Sequence, residues 1–390
     1  MHILLHIGLA KTGTTALQNF LYEHRDELES RGIYYPTHQA MGQLRGMNHR
    51  IVLSHIAIEA LAQGSIPGNA FPENALKQNP NRLKAPFDRF WTTTLNHIRT
   101  RKPKLLILSC EGLGQPFEAT ASPGALIQLR SLLEAALTTA GHAPKEISSR
   151  TTVIAYLRSP LPHLKSRAQQ KFRFQTEVSA STLFPPIDAI FESYEHVFNQ
   201  PVSVQSADRS ALINGDSVAD FVYKYVPDAL DLLKSGPSVY GTNQSLDTAT
   251  LWALNQWLAQ SPQWIPKALY PPLRARMKNM CFEYSQKHCL FERYPLYLNR
   301  SINWAGQQQT MLYKKLACRY GLSFEPWGSD SDTEITKHTP LDRRHFRMED
   351  IFDISEDAHK ESKRILRMLY RKSHLIGLAL SAKRILKWAH

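Results

Sequence analysis

Three short apolar segments, each followed by a segment with helical periodicity, constrain the fold of this chain more than any other feature. The apolar segments read ILLHI at 3–7, KLLILS at 104–109 and TTVIAYL at 151–157. The helices predicted directly after them span 14–31, 123–140 and 161–173. Parallel strands of one sheet need a crossover connection, which is usually a helix. The alternation therefore predicts an α/β fold in which helices flank a parallel sheet.

The remainder of the chain is predicted to be mostly helical. Short extended segments are predicted at 33–36 and 202–206. Further helices are predicted at 48–63, 86–101, 215–225, 246–260, 272–288, 303–320 and 356–372. We divide the chain into an α/β core at 1–230, a helical region of the same domain at 231–340 and a basic C-terminal helical tail at 341–390. The second half of the chain is thus expected to be mostly helical.

The composition is that of a globular protein with an excess of positive charge. Hydrophobic residues make up 43% of the 390 residues, and the formal net charge is +13. A basic balance favours anionic partners, which include nucleotides, nucleic acid, membrane surfaces and acidic glycans. The cysteines form no CxxC pair and the histidines no metal-binding motif, so we expect reduced thiols and no metal. Because neither a signal peptide nor a membrane-spanning apolar run is recognised, we expect a cytoplasmic protein.

The segment after the first strand has the features of an anion-binding loop. Gly8 and Gly13 let the backbone approach an oxyanion closely, and Lys11 adds a full positive charge. Hydroxyl groups are supplied by Thr12, Thr14 and Thr15. The free N–H groups and the dipole at the start of the next helix attract an anion. The phosphate loop of ATPases reads GxxxxGK[ST], whereas Lys11 precedes the second glycine, so this loop predicts a phosphate site of another class.

The segment AKTGTT at 10–15 resembles the 5′-phosphosulfate loop of sulfotransferases that use 3′-phosphoadenosine 5′-phosphosulfate (PAPS). The family loop reads P-K-[ST]-G-T-T, and Ala10 replaces its proline. The flanking letters HIG and ALQ are most similar to the bacterial and Golgi-type carbohydrate members. The resemblance implies a P-loop-NTPase-like parallel sheet, PAPS as the sulfuryl donor and adenosine 3′,5′-bisphosphate (PAP) as the product. It implies that the phosphosulfate is bound by Lys11, Thr12, Gly13, Thr14 and Thr15.

The 3′-phosphate of the donor implies a second anion site, which the family builds from a strand-end arginine and a serine eight residues later. In this chain Arg158 ends the third apolar segment, and Ser166 follows at that spacing. An arginine at a strand end can bind a phosphate with two parallel hydrogen bonds. Weaker similarity at 194–222 and 240–258 extends the resemblance over 1–260. The late Arg-Lys-Gly segment of the cytosolic branch has no counterpart here.

Sulfuryl transfer to a hydroxyl needs positive charge at the leaving oxygen and a general base at the attacking oxygen. Lys11 is the candidate for the leaving oxygen, and this chemistry requires no metal. Glu111 and His49 are the candidate bases, because related chains carry an S-x-E segment and histidines in these regions. We favour Glu111. The alternatives are an ion-pairing or loop-supporting role for Glu111 and an ordinary surface position for His49.

The predicted function is transfer of a sulfuryl group from PAPS to a hydroxyl of a carbohydrate or glycolipid. The alternatives are a nucleotide-dependent kinase, a nucleic-acid-binding protein and an inactive relative that only binds a partner. No nucleic-acid-binding module is recognised, so nucleic acid is not the expected partner. The segment 374–390 combines apolar residues with Lys383, Arg384 and Lys387. Such a helix either packs on the domain or lies on the inner face of a membrane. The sequence leaves the acceptor and the oligomeric state open.

Overall fold

The computed structural model describes residues 1–9, 11–38, 48–62, 81–114, 123–233, 246–260, 270–298, 303–324 and 345–388. The strands in these residues are β1 (His2–His6), β2 (Ile33–Tyr34), β3 (Leu105–Ser109), β4 (Thr151–Leu157), β5 (Glu177–Ser179), β6 (Ser203–Ser206), β7 (Tyr297–Leu298), β8 (His345–Arg347) and β9 (Phe352–Asp353). Ala10, in the loop after β1, lies outside the described residues.

Among the described residues, the helices are more numerous than the strands. They are α1 (Thr14–Glu23), α2 (Arg25–Ser30), α3 (Arg50–Ala62), α4 (Asn81–Arg101), α5 (Pro123–Thr139), α6 (Ile147–Arg150), α7 (Pro160–Phe172), α8 (Ala180–Leu183), α9 (Ile187–Phe198), α10 (Ser217–Tyr225), α11 (Thr248–Ala259), α12 (Tyr270–Lys287), α13 (Leu290–Arg293), α14 (Asn303–Tyr320), α15 (Met348–Ile351) and α16 (Glu356–Trp388). Short 3-10 helices span Glu111–Gly114, Pro144–Glu146, Ile213–Gly215 and Pro227–Leu232.

A five-stranded parallel sheet forms the centre of the α/β part, which confirms the prediction of an α/β fold in which helices flank a parallel sheet. The strand order is β2-β3-β1-β4-β6. His6, the last residue of β1, lies opposite Ser109 of β3 and Ile154 of β4. Because every pair is parallel, the carboxyl ends of all five strands lie at one edge of the sheet. In open α/β sheets this is the edge at which ligands bind.

Helices cover both faces of this sheet, because successive side chains of a strand point to opposite faces. On β1, Ile3 and Leu5 belong to one buried cluster and Leu4 to another. The first cluster includes residues from α3, α4, α5 and α9, and the second includes residues from α1 and α10. The three apolar segments are therefore strands buried on both sides, which explains why they read as continuous apolar runs.

Three of the predicted helices differ from the observed ones by more than the one or two residues seen elsewhere, and α9 is not among the predicted helices. The helix predicted at 14–31 is divided at His24 into α1 and α2. α4 begins at Asn81, five residues before the predicted start, and contains Pro86. The last helix continues to Trp388 instead of ending at 372. The side chains of 374–390, and with them the predicted membrane contact, lie outside the residues whose side chains the structure describes.

The chain forms two compact units whose segments alternate along the sequence. The first comprises Met1–Ser159, Pro185–Thr242 and Met311–Pro326, and the second comprises Pro160–Phe184, Asn243–Thr310 and Trp327–His390. Our three predicted regions were consecutive segments. They did not anticipate that α7 belongs with the C-terminal helices, or that 311–326 belongs with the sheet.

None of the described helices is both long enough and apolar enough to cross a bilayer.

The second unit has a core of its own, built around α11. Trp257 of α11 is fully buried, in a cluster that includes residues of α7, α12 and α16. Asp247, which is also fully buried, caps α11 by accepting a hydrogen bond from the N–H of Thr250 at 2.8 Å. Gln169 of α7 donates to the carbonyl of Leu246 at 2.7 Å. Two antiparallel ribbons, β5 with β8 and β7 with β9, complete this unit.

Replacing Tyr156 by phenylalanine tests the buried hydrogen bond between β4 and α10. The Tyr156 hydroxyl donates to Asp220 Oδ2 at 2.8 Å, and Asp220 is fully buried. Loss of a donor to a buried carboxylate should lower the free energy of unfolding by about 2 kcal/mol, measured by urea denaturation. The control is Tyr225→Phe, which removes a half-buried hydroxyl bonded to Ser203 Oγ at 2.8 Å. An equal effect of the two substitutions would contradict this interpretation.

Candidate functional site

The loop between β1 and α1 has an unusual backbone, which explains its glycines. Gly8, Lys11 and Gly13 have φ angles of 48°, 70° and 89°. These values lie in the left-handed region that glycine adopts most readily. Gly13 is also the N-cap of α1, and no side chain caps the helix there. The first N–H groups of α1 are therefore not used by a capping side chain, as an anion site requires.

Both glycines also lie in close contact with neighbouring groups. A Cβ on Gly8 would come within 2.8 Å of Thr14 Oγ1 and 3.3 Å of the Cα of Glu111. A Cβ on Gly13 would come within 2.2 Å of Ser217 Oγ. Three parts of the first unit thus converge on the loop, namely the start of α1, the segment after β3 and the start of α10.

The three threonines of the loop differ in what their hydroxyl groups contact. Thr12 Oγ1 donates to the carbonyl of Leu9 at 2.7 Å, so it closes the loop internally. Thr14 is buried, with 3% of its surface exposed, and its Oγ1 has no hydrogen-bond partner within the described part of the chain. Thr15 is half-buried, as is Lys11. A buried hydroxyl without a partner is rare in folded proteins, and at an anion loop it is available to a ligand.

Glu111 lies beside this loop because the segment after β3 packs directly on it. Glu111 begins the 3-10 helix that ends at Gly114, whose N–H donates to the carbonyl of Ile7 at 2.8 Å. A Cβ on Gly114 would lie 2.0 Å from the carbonyl oxygen of Gly8, so only glycine fits this position. Gly114 is not among the predicted site residues, although the repeated glycines of EGLG are a signal for a close backbone contact.

Arg158 is held at the end of β4 by the residue that follows it. Ser159 is buried, and its N–H lies 3.1 Å and 3.2 Å from the two carboxylate oxygens of Asp208, to which its hydroxyl also donates. Asp208, itself buried, follows β6. Asp208 is not among the predicted site residues, because nothing local in the sequence connects it to a residue 49 positions earlier.

The register of the sheet sets the separation between Arg158 and the loop. His6 pairs with Ile154, and β4 continues for three further residues before Arg158. At about 3.3 Å per residue, the four-residue step from Ile154 to Arg158 places Arg158 roughly 13 Å beyond His6 along the strand direction. Ser166 lies half-buried on α7 in the second unit, so its predicted role beside Arg158 stays a prediction.

His49 is buried and contacts the backbone through both ring nitrogens. Its Nδ1 accepts from the N–H of Ser109 at 2.8 Å, and its Nε2 lies 2.8 Å from the carbonyl of Pro36, to which it donates. Burial lowers the pKa of His49 to about 4. The alternative in which His49 is an ordinary surface histidine is therefore wrong. Because its acceptor nitrogen is already used, the geometry favours Glu111 as the base, and that choice stays a prediction.

A second buried histidine connects β1, β3 and α1 beneath the loop. His6 Nδ1 and Ser109 Oγ are 2.8 Å apart, and Gln18 donates to the Ser109 carbonyl at 3.1 Å. Burial lowers the pKa of His6 to about 4 as well. Both histidines are therefore neutral at pH 7, and they support the loop without adding charge to it.

Comparisons of this chain with models of known protein families, with characterised proteins and with solved structures gave no match. Among the described residues, no group of three or more histidine, cysteine, aspartate or glutamate side chains is arranged to hold a metal ion.

We predict that the two buried histidines make the protein sensitive to acid. The pKa of His49 falls from its ordinary value of 6.5 to about 4 on folding. The unfolded chain then binds the proton more readily, so stability falls as the pH drops from about 6.5 to about 4. His49→Gln should reduce this slope by up to about 1.4 kcal/mol per pH unit, measured by urea denaturation at several pH values. Glutamine supplies one donor and one acceptor to the same backbone groups.

The control for this prediction is His196→Gln, at an exposed histidine of the same unit. It should leave the slope of stability against pH as it is in the parent protein. A slope that is unchanged in His49→Gln, or reduced equally in both variants, would contradict the assignment of His49 as a buried neutral group.

Proposed function

We propose that this protein is a sulfotransferase with a P-loop-NTPase-like sheet, which moves a sulfuryl group from PAPS to a hydroxyl of a carbohydrate or glycolipid. One observation carries the proposal. The glycine loop and Arg158 follow two adjacent parallel strands, β1 and β4, and therefore lie at the same edge of the sheet. Glu111 lies at that edge too, against the loop.

The donor has two anionic ends, and this edge offers a group for each. The loop contributes Lys11, the uncapped N–H groups of α1 and the Thr14 hydroxyl, all suited to the 5′-phosphosulfate. Arg158 lies roughly 13 Å beyond the end of β1 along the strand direction, which suits a phosphate on the far side of the nucleoside. An ATPase-type ligand would place its phosphates on the loop alone and would leave Arg158 without a role.

In the proposed reaction the acceptor oxygen attacks the sulfur, and the bond from sulfur to the bridging oxygen of the donor breaks. The electron pair of that bond goes to PAP, where Lys11 stabilises the developing negative charge. The proton of the acceptor hydroxyl goes to the carboxylate of Glu111. The loop and Glu111 are held together by the backbone contacts of Gly8 and Gly114, so the two groups keep a fixed relation.

The acceptor class and the location are inferred from the net charge and from the C-terminal segment. The net charge of +13 favours an anionic partner, which is compatible with a nucleotide donor and with charged glycans. We propose a cytoplasmic enzyme that contacts a membrane peripherally through 374–390, where a glycolipid acceptor would be found. A kinase and a nucleic-acid-binding protein are the alternatives that the following experiment separates.

Titration calorimetry with PAP tests the donor site. We expect the parent protein to bind PAP and Arg158→Ala to bind it at least 100-fold more weakly, because a bidentate contact to a phosphate is lost. The control is Arg99→Ala, at an exposed arginine on α4. Binding of ATP without binding of PAP would favour a kinase. Tight, salt-sensitive binding of DNA or RNA without PAP binding would favour the nucleic-acid-binding alternative.

Substitution of the two candidate bases tests the chemistry separately from donor binding. Glu111→Gln should lower turnover by about 10²–10⁴-fold while PAP affinity stays the same, because a general base is removed and no anion contact is lost. The measurement is transfer of labelled sulfuryl from PAPS to a panel of glycans and glycolipids. His49→Gln should retain turnover. If Glu111→Gln retains turnover and His49→Gln loses it, the assignment of the base is reversed.

A further inference from the structure

Ser217 occupies the space that a side chain of residue 13 would fill. It is the first residue of α10, and a Cβ on Gly13 would lie 2.2 Å from its Oγ and 2.9 Å from its Cβ. Ser217 is half-buried, and its hydroxyl makes no hydrogen bond among the residues that the structure describes. Gly13 therefore gives a hydroxyl from a distant part of the sequence direct access to the anion loop.

α10 contributes the Ser217 hydroxyl to the loop, and not the N–H groups of its first turn. Asp216 caps α10 by accepting hydrogen bonds from the N–H groups of Val218 at 2.7 Å and Ala219 at 3.2 Å. These amides are already used by the cap. The helix is held against the sheet by the bond between Asp220 and Tyr156, so Ser217 has a fixed position.

Thr14 provides an independent indication that a ligand belongs at this loop. Thr14 is buried, with 3% of the residue exposed, and its buried hydroxyl has no hydrogen-bond partner in the described residues. It lies against Gly8, whereas Ser217 lies against Gly13. Buried hydroxyls are nearly always hydrogen-bonded in folded proteins. Two hydroxyls from different elements, each packed on one of the two loop glycines, match the several oxygens of a phosphate or sulfate group.

We propose that Ser217 is a further anion-binding residue, which donates a hydrogen bond to an oxygen of the phosphoryl or phosphosulfuryl group held by the loop. The identity of that group as the 5′ end of PAPS or PAP rests on the proposed function. The proposed contact between Ser217 and an oxyanion does not rest on that function, because it is inferred from the position of the Ser217 hydroxyl beside Gly13. The serine lies outside the loop motif, which is why motif reasoning alone does not find it.

Titration calorimetry on the full chain tests this proposal with three probes: PAP, ATP and pyrophosphate. Ser217→Ala should bind the preferred probe roughly tenfold more weakly than the parent, because a hydrogen bond to a charged group is lost. Ser217→Cys keeps the side-chain size with a much weaker donor and should show a similar loss. Ser210→Ala, at an exposed serine of the same unit, should bind as the parent does. Thermal unfolding of each variant confirms that the chain is folded.

The outcomes distinguish this proposal from the proposed function. If the parent binds PAP and both Ser217 variants bind it equally well, the role of Ser217 is overturned while the donor site stands. If the parent binds ATP or pyrophosphate but not PAP, and both variants bind more weakly, Ser217 is an anion-binding residue and the sulfotransferase proposal fails. If the parent binds none of the three probes, the loop is not an anion site and both proposals are overturned.

Discussion

The contact between two backbone segments, the loop after β1 and the 3-10 helix after β3, determines the geometry of the whole candidate site. It depends on Gly114, whose N–H binds the Ile7 carbonyl and whose missing side chain leaves room for the Gly8 carbonyl. Gly8 in turn touches Thr14 and the backbone of Glu111. A larger residue at 114 would separate the segments, and the proposed base would move away from the proposed anion loop.

Buried polar side chains also fix the positions of residues at or near the ends of the strands. Asp208 fixes the residue after Arg158, Asp220 joins α10 to β4, and His49 joins the end of β3 to the segment after β2. A buried polar group is costly when it is left without a partner, so such contacts strongly favour one arrangement over others. Burial of apolar side chains stabilises the sheet, and these polar side chains determine where the strand ends lie.

The sequence predicts the parts of this structure that depend on neighbouring residues. β1, β3 and β4 are runs of buried apolar residues, so they are predicted correctly as strands, and the glycine loop is recognised from a local motif. The roles of Asp208 and His49 depend on partners that lie 49 and 60 positions away, and no local pattern encodes such pairs. Assignment of α7 to the second unit also depends on packing, because the helix follows β4 directly in the sequence.

The charged and neutral side chains at the sheet edge differ in their burial. His6 and His49 are fully buried, and burial keeps them neutral at pH 7. Lys11 and Arg158 are half-buried, so their charges are partly solvated and carry a smaller desolvation cost. If His6 and His49 were charged, they would add a constant electrostatic potential beneath the loop, with or without a ligand. With neutral supports, the positive potential at the proposed anion site comes from Lys11, Arg158 and the dipole of α1.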